Sequence, residues 1–489
     1  MNRGFNYKLI FRIIGFLIII ESGVLFLTIL IPVIYGENDF RYFLISGLAA
    51  LVCGLILTFA GKNPPAEVSK REGSLIVTGT WIFFSLFGML PFWFSNSIPS
   101  LTDAFFETMS GFTTTGATVL DNIESLSHGM LFWRSITQWI GGLGIIVISM
   151  AILPIFGMSS NQMFAAEATG PTKEKIHPKI SETAKRLFYI YLGLTIIQTV
   201  LLRISGMGWF DAVCHSVTTI ATGGFSTKQD SIAHWDSPLI QYIIIVFMLL
   251  SGVNFSLYYF GLKRRFDKIK ENEELRYYLL ITLSATIIIT ISLFDFGDGF
   301  SLGETEKMFR EALFTVTSTI TSTGFSIEDY MLWRPFVWVM LLMLMLMGAS
   351  AGSTSGGMKM VRIVIAIKTY YYEFKRMLHP NAVVPIRYNN HIIKDDVILR
   401  ALTFIVLYFV IIGIGTLVLS LVGIGFEESL SGMISCLSNI GPALGDFGPT
   451  GTYQGANVFV KWFLTIVMLI GRLELFTVLL LFTPAFWKR

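Results

Sequence analysis

Apolar side chains in this 489-residue chain gather in long runs with few charges, rather than at the three- and four-residue intervals of a surface helix. Ten runs predict membrane-spanning helices, near residues 9–35, 42–61, 74–94, 131–157, 186–204, 238–261, 278–296, 333–368, 399–422 and 457–484. A bilayer core of about 30 Å takes roughly 20 such residues. Arg3, Lys8 and Arg12 flank the first run as they would in a secretory signal, but the run is longer than a signal core and no A-x-A site follows. It predicts a span as well.

Lys and Arg alternate between the two sides of these spans, and cytoplasmic loops retain positive charge. One side collects Arg3, Lys8 and Arg12, then Lys62, Lys70 and Arg71, then Lys173, Lys175, Lys179, Lys185 and Arg186. It continues with Lys263–Arg276 and Lys368–Lys394, whereas the opposite side offers little beyond Arg41, Lys228, Lys307 and Arg310. Both termini are therefore expected in the cytoplasm, which an even number of spans requires. No water-soluble domain of about 100 residues fits between the runs. A self-contained ATP-driven pump is excluded on that ground.

Composition agrees. Charged residues make up 14% of the chain and apolar ones 53%, against about 25% charged in an average soluble protein. Cys53, Cys214 and Cys436 are too few and scattered for a disulfide scaffold. A net charge of +3 without a basic, aromatic-interleaved stripe sets nucleic acid aside.

The loops after the third, fifth, seventh and ninth runs share a pattern. Aligned without gaps on Gly116, Gly224, Gly324 and Gly441, the residue thirteen positions earlier is acidic each time: Asp103, Asp211, Glu311 and Glu428. Acidic residues number 33 of 489, so four coincidences at one offset have a chance probability of roughly 10⁻⁵ before the choice of offset is counted. The chain reads as a fourfold repeat: an accessory pair of spans in 1–68, then repeats 69–160, 161–265, 266–380 and 381–489. Each repeat predicts span, half-span, return and span, with the acid capping the half-helix. About ten helical residues reach only roughly 15 Å, so the chain must turn back inside the membrane. Non-helical backbone at that depth must be buried in protein or line a water-filled path.

The returns are Thr113-Thr114-Thr115-Gly116-Ala117, Ala221-Thr222-Gly223-Gly224-Phe225, Thr321-Ser322-Thr323-Gly324-Phe325 and Ser438-Asn439-Ile440-Gly441-Pro442. They are small, polar and uncharged. Their carbonyls and hydroxyls suit a desolvated monovalent cation, whereas an anion requires donors. Taken singly, each is also what a turn-rich outer loop looks like; the repetition in register argues for a pore. The eighth run is interrupted by Gly348–Gly357, where a continuous helix is not expected. Close-packed small residues at a helix kink are the alternative there. Arg472 lies inside the last run, where a central charge costs about 2.5–3.5 kcal/mol. It is expected to face the pore below Gly441 and touch the Gly348–Gly357 loop, oriented by Glu474, with pairing to Glu474 alone or snorkelling as the alternative. Gly348-Ala349-Ser350-Ala351-Gly352 matches the G-x-S-x-G nucleophile pattern, but no strand-to-helix elbow or in-span histidine accompanies it, so an enzyme is not expected. His215 on the second half-helix reads as a packed or capping residue or as a tuner of the outer field.

These motifs resemble those of the Trk/Ktr/HKT superfamily of potassium transporters, most closely its bacterial TrkH branch. The carriers are Asp103-Ala104-Phe105-Phe106-Glu107 leading to Ser110–Thr118, Ala221–Thr227, Gly348–Lys359 and Gly471-Arg472-Leu473-Glu474. The resemblance covers nearly the whole chain. It implies an all-α polytopic protein of the bacterial cytoplasmic (inner) membrane, with four repeats around one pore that admits K⁺. The implied filter comprises Thr114, Thr115, Gly116, Thr222, Gly223, Gly224, Ser322, Thr323, Gly324, Asn439, Ile440 and Gly441. The implied gate comprises Gly348, Gly352, Ser353, Gly356, Gly357, Lys359 and Arg472. The fourth return departs from the pattern, with Ile440 before and Pro442 after its glycine. The resemblance further implies a homodimer, a cytoplasmic nucleotide-binding regulatory subunit of TrkA type and no cofactor on this chain. Plant relatives that prefer Na⁺ carry Ser at the first filter glycine, where this chain has Gly116. A Na⁺- or H⁺-coupled potassium symporter, or a Na⁺-passing relative, is the alternative on the same scaffold. A larger-solute carrier would show inverted repeats, which these are not.

Overall fold

The computed structural model describes residues 5–62, 70–152, 180–294, 301–379 and 385–488. Arg3, Lys173, Lys175, Lys179 and the connector around 158–179 lie outside them, as do the expected span ends at 153–157 and 295–296. The described residues are mostly helical, with one small antiparallel hairpin that pairs Arg387–Tyr388 with His391–Ile392.

Helices α1 (Tyr7–Tyr35), α2 (Phe40–Ala60) and α3 (Arg71–Phe94) come first. The half-helix α4 (Leu101–Phe112) and α5 (His128–Ile152) follow. Next come α6 (Ile180–Ile204), the half-helix α7 (Trp209–Ile220), and α8 (Pro238–Ser251) with α9 (Phe255–Leu262). Then come α10 (Glu273–Leu293), α11 (Leu302–Ile320), α12 (Pro335–Met347) and α13 (Met360–Leu378). The last are α14 (Asp395–Leu421), α15 (Phe426–Ser438), α16 (Val458–Arg472) and α17 (Phe476–Phe482).

Helices thus occupy all ten expected positions, but they are not ten plain spans. Among the described residues six are long and apolar enough to cross a membrane, or up to eight if each bent pair counts as one. The bent pairs are α8/α9, at 94°, and α16/α17, at 113°. The second bend lies at Glu474 and Leu475, both with positive φ. The expected eighth span divides into α12 and α13, because Gly348, Gly352 and Gly357 take positive φ values that an α-helix cannot contain.

Local signals set the helix ends. Asn6, Ser100, Asn272 and Asn457 each accept a backbone N–H of the first turn through their side chains. Pro238 and Pro335 open α8 and α12, where a missing N–H costs nothing. The outer helices leave large apolar side chains uncovered, among them Leu27, Ile56, Ile204 and Leu421, as lipid contact requires.

Half-helices α4, α7 and α15 and the part of α11 from Arg310 onward are mostly buried. Their hydroxyls bond back to the preceding turn: Thr108 to the Ala104 carbonyl at 2.7 Å, Ser216 to Ala212 at 2.6 Å, Thr319 to Thr315 at 2.7 Å and Ser431 to Glu427 at 2.7 Å. Such bonds let polar residues sit in a dry interior. Each half-helix also packs on a helix from the preceding quarter of the chain. α7 packs on α5, α11 on α8, α15 on α12, and α4 on α16, which closes the succession.

Three of the expected acids stand at the third position of their half-helices, and none is the cap itself. Asp103, Asp211 and Glu428 follow the N-cap residues Ser100, Gly208 and Gly425. Glu311 departs from this. Its helix begins nine residues earlier, at Leu302 with Ser301 as N-cap, so Glu311 lies in the helix interior, where Lys307 approaches it at 3.6 Å. The polar stretch 302–310 extends the half-helix by over two turns, which the aligned spacing alone did not reveal.

Candidate functional site

All four half-helices end in the same way. The N–H groups of Thr115, Gly223, Thr323 and Ile440 donate to the carbonyls of Ser110, Thr218, Ser318 and Ser435, at 2.8, 2.9, 2.8 and 3.0 Å. The residue before each takes the left-handed conformation: Thr114, Thr222, Ser322 and Asn439 have φ between 51° and 54°. This is the six-to-one closure of a Schellman motif, built without glycine at its left-handed position. Asn439 follows the same rule as the threonines, so Ile440 and Pro442 do not alter the backbone of the fourth return. All four residues stand in the filter that the resemblance implies, but their left-handed conformation was not expected; the small hydroxyl or amide side chain they share was the available signal.

The aligned glycines then take φ of 83°, 78°, 81° and 100°. Each faces the next return. A Cβ on Gly116 would run into the Gly223 carbonyl oxygen, one on Gly224 into that of Thr323 and one on Gly324 into that of Ile440. One on Gly441 would lie 2.6 Å from the Thr115 oxygen, which closes the circle. The four glycines also line one cavity, together with Arg134, Ser226, Ser326 and Tyr453.

The returns are braced from behind. Thr113 and Thr115 share a hydroxyl–hydroxyl bond of 2.7 Å, and Thr321 and Thr323 one of 2.8 Å. The Asn439 amide donates to the Thr115 hydroxyl at 3.0 Å and to the Met468 carbonyl at 2.9 Å, and the Tyr453 hydroxyl donates to the Gly441 carbonyl at 3.0 Å. His215 is fully buried, with its ring nitrogens 2.8 Å from the Asp211 carbonyl and 3.0 Å from the Ser226 hydroxyl. It packs and joins the half-helix to its return.

Two residues that sequence reasoning passed over form a buried ion pair here. Arg134 on α5 donates through Nε to Glu107 on α4 at 2.6 Å, and both are nearly inaccessible to solvent. Glu107 also accepts the Val119 N–H at 2.9 Å and the Thr118 hydroxyl at 3.0 Å. Arg134 donates to the Ser226 carbonyl at 2.9 Å, with its guanidinium carbon 3.6 Å from the centre of the Phe225 ring. The pair ties the first return to the second. Arg134→Met strands a buried carboxylate and is expected to cost about 3–5 kcal/mol of stability. Thermal unfolding in detergent tests this, and adding Glu107→Gln to that variant should recover much of the loss.

Below the returns, the segment from Gly348 to Lys359 threads between the half-helix ends. The Gly356 N–H donates to the Ser322 hydroxyl, and a Cβ on Gly356 would run into the Ser438 carbonyl. The Thr354 hydroxyl donates to the Ile220 carbonyl at 3.1 Å. Arg472 is buried and donates to the Thr354 carbonyl at 2.8 Å and to the Gly141 carbonyl at 2.9 Å. The expected contact between Arg472 and the loop is therefore present, but its partner is not Glu474. Glu474 pairs with Arg362 on α13, across the bend that carries it away from α16.

Within the loop, the Ser353 and Ser355 hydroxyls lie 2.9 Å apart and the Lys359 ammonium donates to the Ser355 carbonyl. Gly352 sits against the Asn254 side chain, and Gly348 and Gly357 against each other. Glu274 on α10 holds the loop from outside through the N–H groups of Ala351 at 2.7 Å and Val361 at 3.1 Å. Ser350 of the nucleophile-like motif donates its N–H to the Gly252 carbonyl. No histidine bonds to this loop among the described residues.

Apolar helices around four buried, uncharged returns mark a multi-pass membrane protein of transport type. The chain belongs to the TrkH family of cation transport proteins, whose family model matches residues 41–489. It is 39% identical over 487 residues to the Trk system potassium uptake protein TrkH of Escherichia coli (strain K12), covering 99% of this chain and 100% of that one. The TrkI protein of Halomonas elongata is 32% identical over 482 residues, covering 98% of this chain and 97% of that one. The crystal structure of the potassium transporter TrkH from Vibrio parahaemolyticus superposes with a TM-score of 0.91 at 34% identity, covering 99% of this chain and 100% of that one.

Proposed function

We propose that this chain takes up potassium across the bacterial cytoplasmic membrane, through a filter formed by its four returning strands. The observation that carries the reading is the closed succession of carbonyls, from Gly223 against Gly116 round to Thr115 against Gly441. Four uncharged carbonyls, each set against the glycine of the neighbouring return, suit a dehydrated monovalent cation. The names of the relatives, potassium uptake proteins, support the choice of ion. An inside-negative potential favours cation entry by about 2.3 kcal/mol per charge per 100 mV, so no ATP chemistry is needed on this chain.

The reading extends to the ten-span arrangement, with both termini cytoplasmic and repeats 69–160, 161–265, 266–380 and 381–489 around the pore. Gly348–Gly357, with Lys359 and Arg472, is its gate, supported by the contacts of that segment beneath three of the four half-helices. The homodimer and the TrkA-type regulatory subunit rest on the family resemblance. The basic stretches 263–276 and 368–394 would face that subunit, although Lys368 is already engaged with Glu273.

The test is uptake of Rb⁺, K⁺, Na⁺ and Li⁺ by proteoliposomes holding the purified protein. Selective K⁺ and Rb⁺ uptake is expected, with Gly116→Ser admitting Na⁺. Equal uptake of all four ions would refute the filter. Shortening the loop between residues 350 and 355 should raise uptake without changing the K⁺/Na⁺ ratio; a changed ratio would place the loop in the filter instead.

A further inference from the structure

The second return differs from the first and third immediately before its aligned glycine, where they carry Thr115 and Thr323 and it carries Gly223. Backbone conformation does not require this glycine. Gly223 is absent from the residues of positive φ, so an L side chain would meet no torsional objection. Space does require it: a Cβ there would run into Cδ and Oε1 of Gln138 and lie 2.8 Å from Nε2.

Gln138 is fully buried on α5, one helical turn beyond Arg134 and in the preceding quarter of the chain. Its amide grips the second return at two points. Nε2 donates to the Gly223 carbonyl at 2.6 Å, and Oε1 accepts the Phe225 N–H at 3.1 Å. In the first and third returns the bracing comes from within, through the hydroxyl pairs Thr113–Thr115 and Thr321–Thr323. The second return has Ala221 and Gly223 at those positions and lacks both hydroxyls. Gln138 stands in for them.

The braced carbonyl is the one that faces Gly116. A carbonyl that already accepts an amide N–H offers a cation a shared lone pair and a position set by that amide. The number and field of coordinating carbonyls are what discriminate among monovalent cations. We infer that Gln138 is a positioning residue that sets the Gly223 carbonyl and thereby helps decide which cation the circle of four admits. The inference rests on the reading of the four returns as a filter and adds that one of them is built by a neighbouring repeat.

The experiment is K⁺ and Na⁺ uptake by proteoliposomes of the full-length protein. Gln138→Leu keeps the volume and removes both bonds; it should lower the K⁺/Na⁺ uptake ratio about fivefold or more, the worth of one net hydrogen bond, while K⁺ uptake persists. Gln138→Met likewise removes both bonds with an unbranched side chain, so it should shift the ratio the same way and serves if the leucine variant does not fold. Gly223→Thr alone should abolish uptake by collision with Gln138. Combined with Gln138→Ala and Ala221→Thr, which rebuild the hydroxyl pair of the other returns, it should recover uptake and a ratio near that of the wild type. A purely structural role would lower uptake of both ions together and leave the ratio alone. A selective wild type whose Gln138→Leu and Gln138→Met ratios stay within about twofold of it overturns the inference. A wild type that takes up both ions equally overturns the filter reading, and the inference with it.

Discussion

Arg472→Ala is expected to raise K⁺ and Rb⁺ uptake roughly a hundredfold. The guanidinium donates to the Thr354 carbonyl of the interrupting loop and to the Gly141 carbonyl of α5, and both bonds are buried. Charged hydrogen bonds contribute about 1.5–3 kcal/mol each, so with the gate proposed above two of them would hold its closed arrangement by about 3 kcal/mol at the low end. That energy corresponds to roughly a hundredfold in the ratio of closed to open states. In the same proposal the charge would also repel a cation leaving the filter, and its removal acts in the same direction. Arg472→Lys keeps the charge but cannot reproduce both bonds, so its uptake should fall between the two. Unchanged uptake by a folded Arg472→Ala protein would remove this residue from the gate.

Alanine at any of the four aligned glycines is expected to remove K⁺ selectivity, and Gly224→Ala or Gly324→Ala to reduce K⁺ uptake at least about tenfold. Each substitution forces an L residue into left-handed backbone, at about 1–2 kcal/mol. The larger effect is steric, since the new methyl would occupy the place of the Thr323 or Ile440 carbonyl oxygen. A carbonyl pushed aside no longer replaces the water shell of the ion. Gly193→Ala and Gly413→Ala are the controls, because a Cβ at either position meets nothing within 4 Å. Normal selectivity in Gly224→Ala would show that the carbonyl circle is not where ions are sorted.

The fold was legible to the extent that it is local. Apolar runs located every helix of 20 residues or more, and glycine content located the break between α12 and α13. Spacing also put Asp103, Asp211 and Glu428 in the first turns of their half-helices. It failed at Glu311, because the extra turns of α11 lie in a polar segment that carries no apolar periodicity. The bends of 94° at α8/α9 and 113° at α16/α17 left no mark in the pattern, because composition stays apolar while backbone torsions turn the chain. The sequence leads one to expect Glu474 beside Arg472, yet the bend at Glu474 and Leu475 turns the carboxylate toward Arg362.

The sequence by itself determined the membrane class, the fourfold register of acid and glycine, and the uncharged character of the returns. These follow from residue type and short spacing, which survive any arrangement of the helices. Only the tertiary structure decided what stands behind each return: Gln138 at the second, Arg134 and Glu107 between the first and second, Asn439 against Thr115 at the fourth. It also decided that Thr354 meets both Ile220 and Arg472. Those partners are far apart in the chain, and a buried polar group in lipid takes whichever donor or acceptor packing brings within reach.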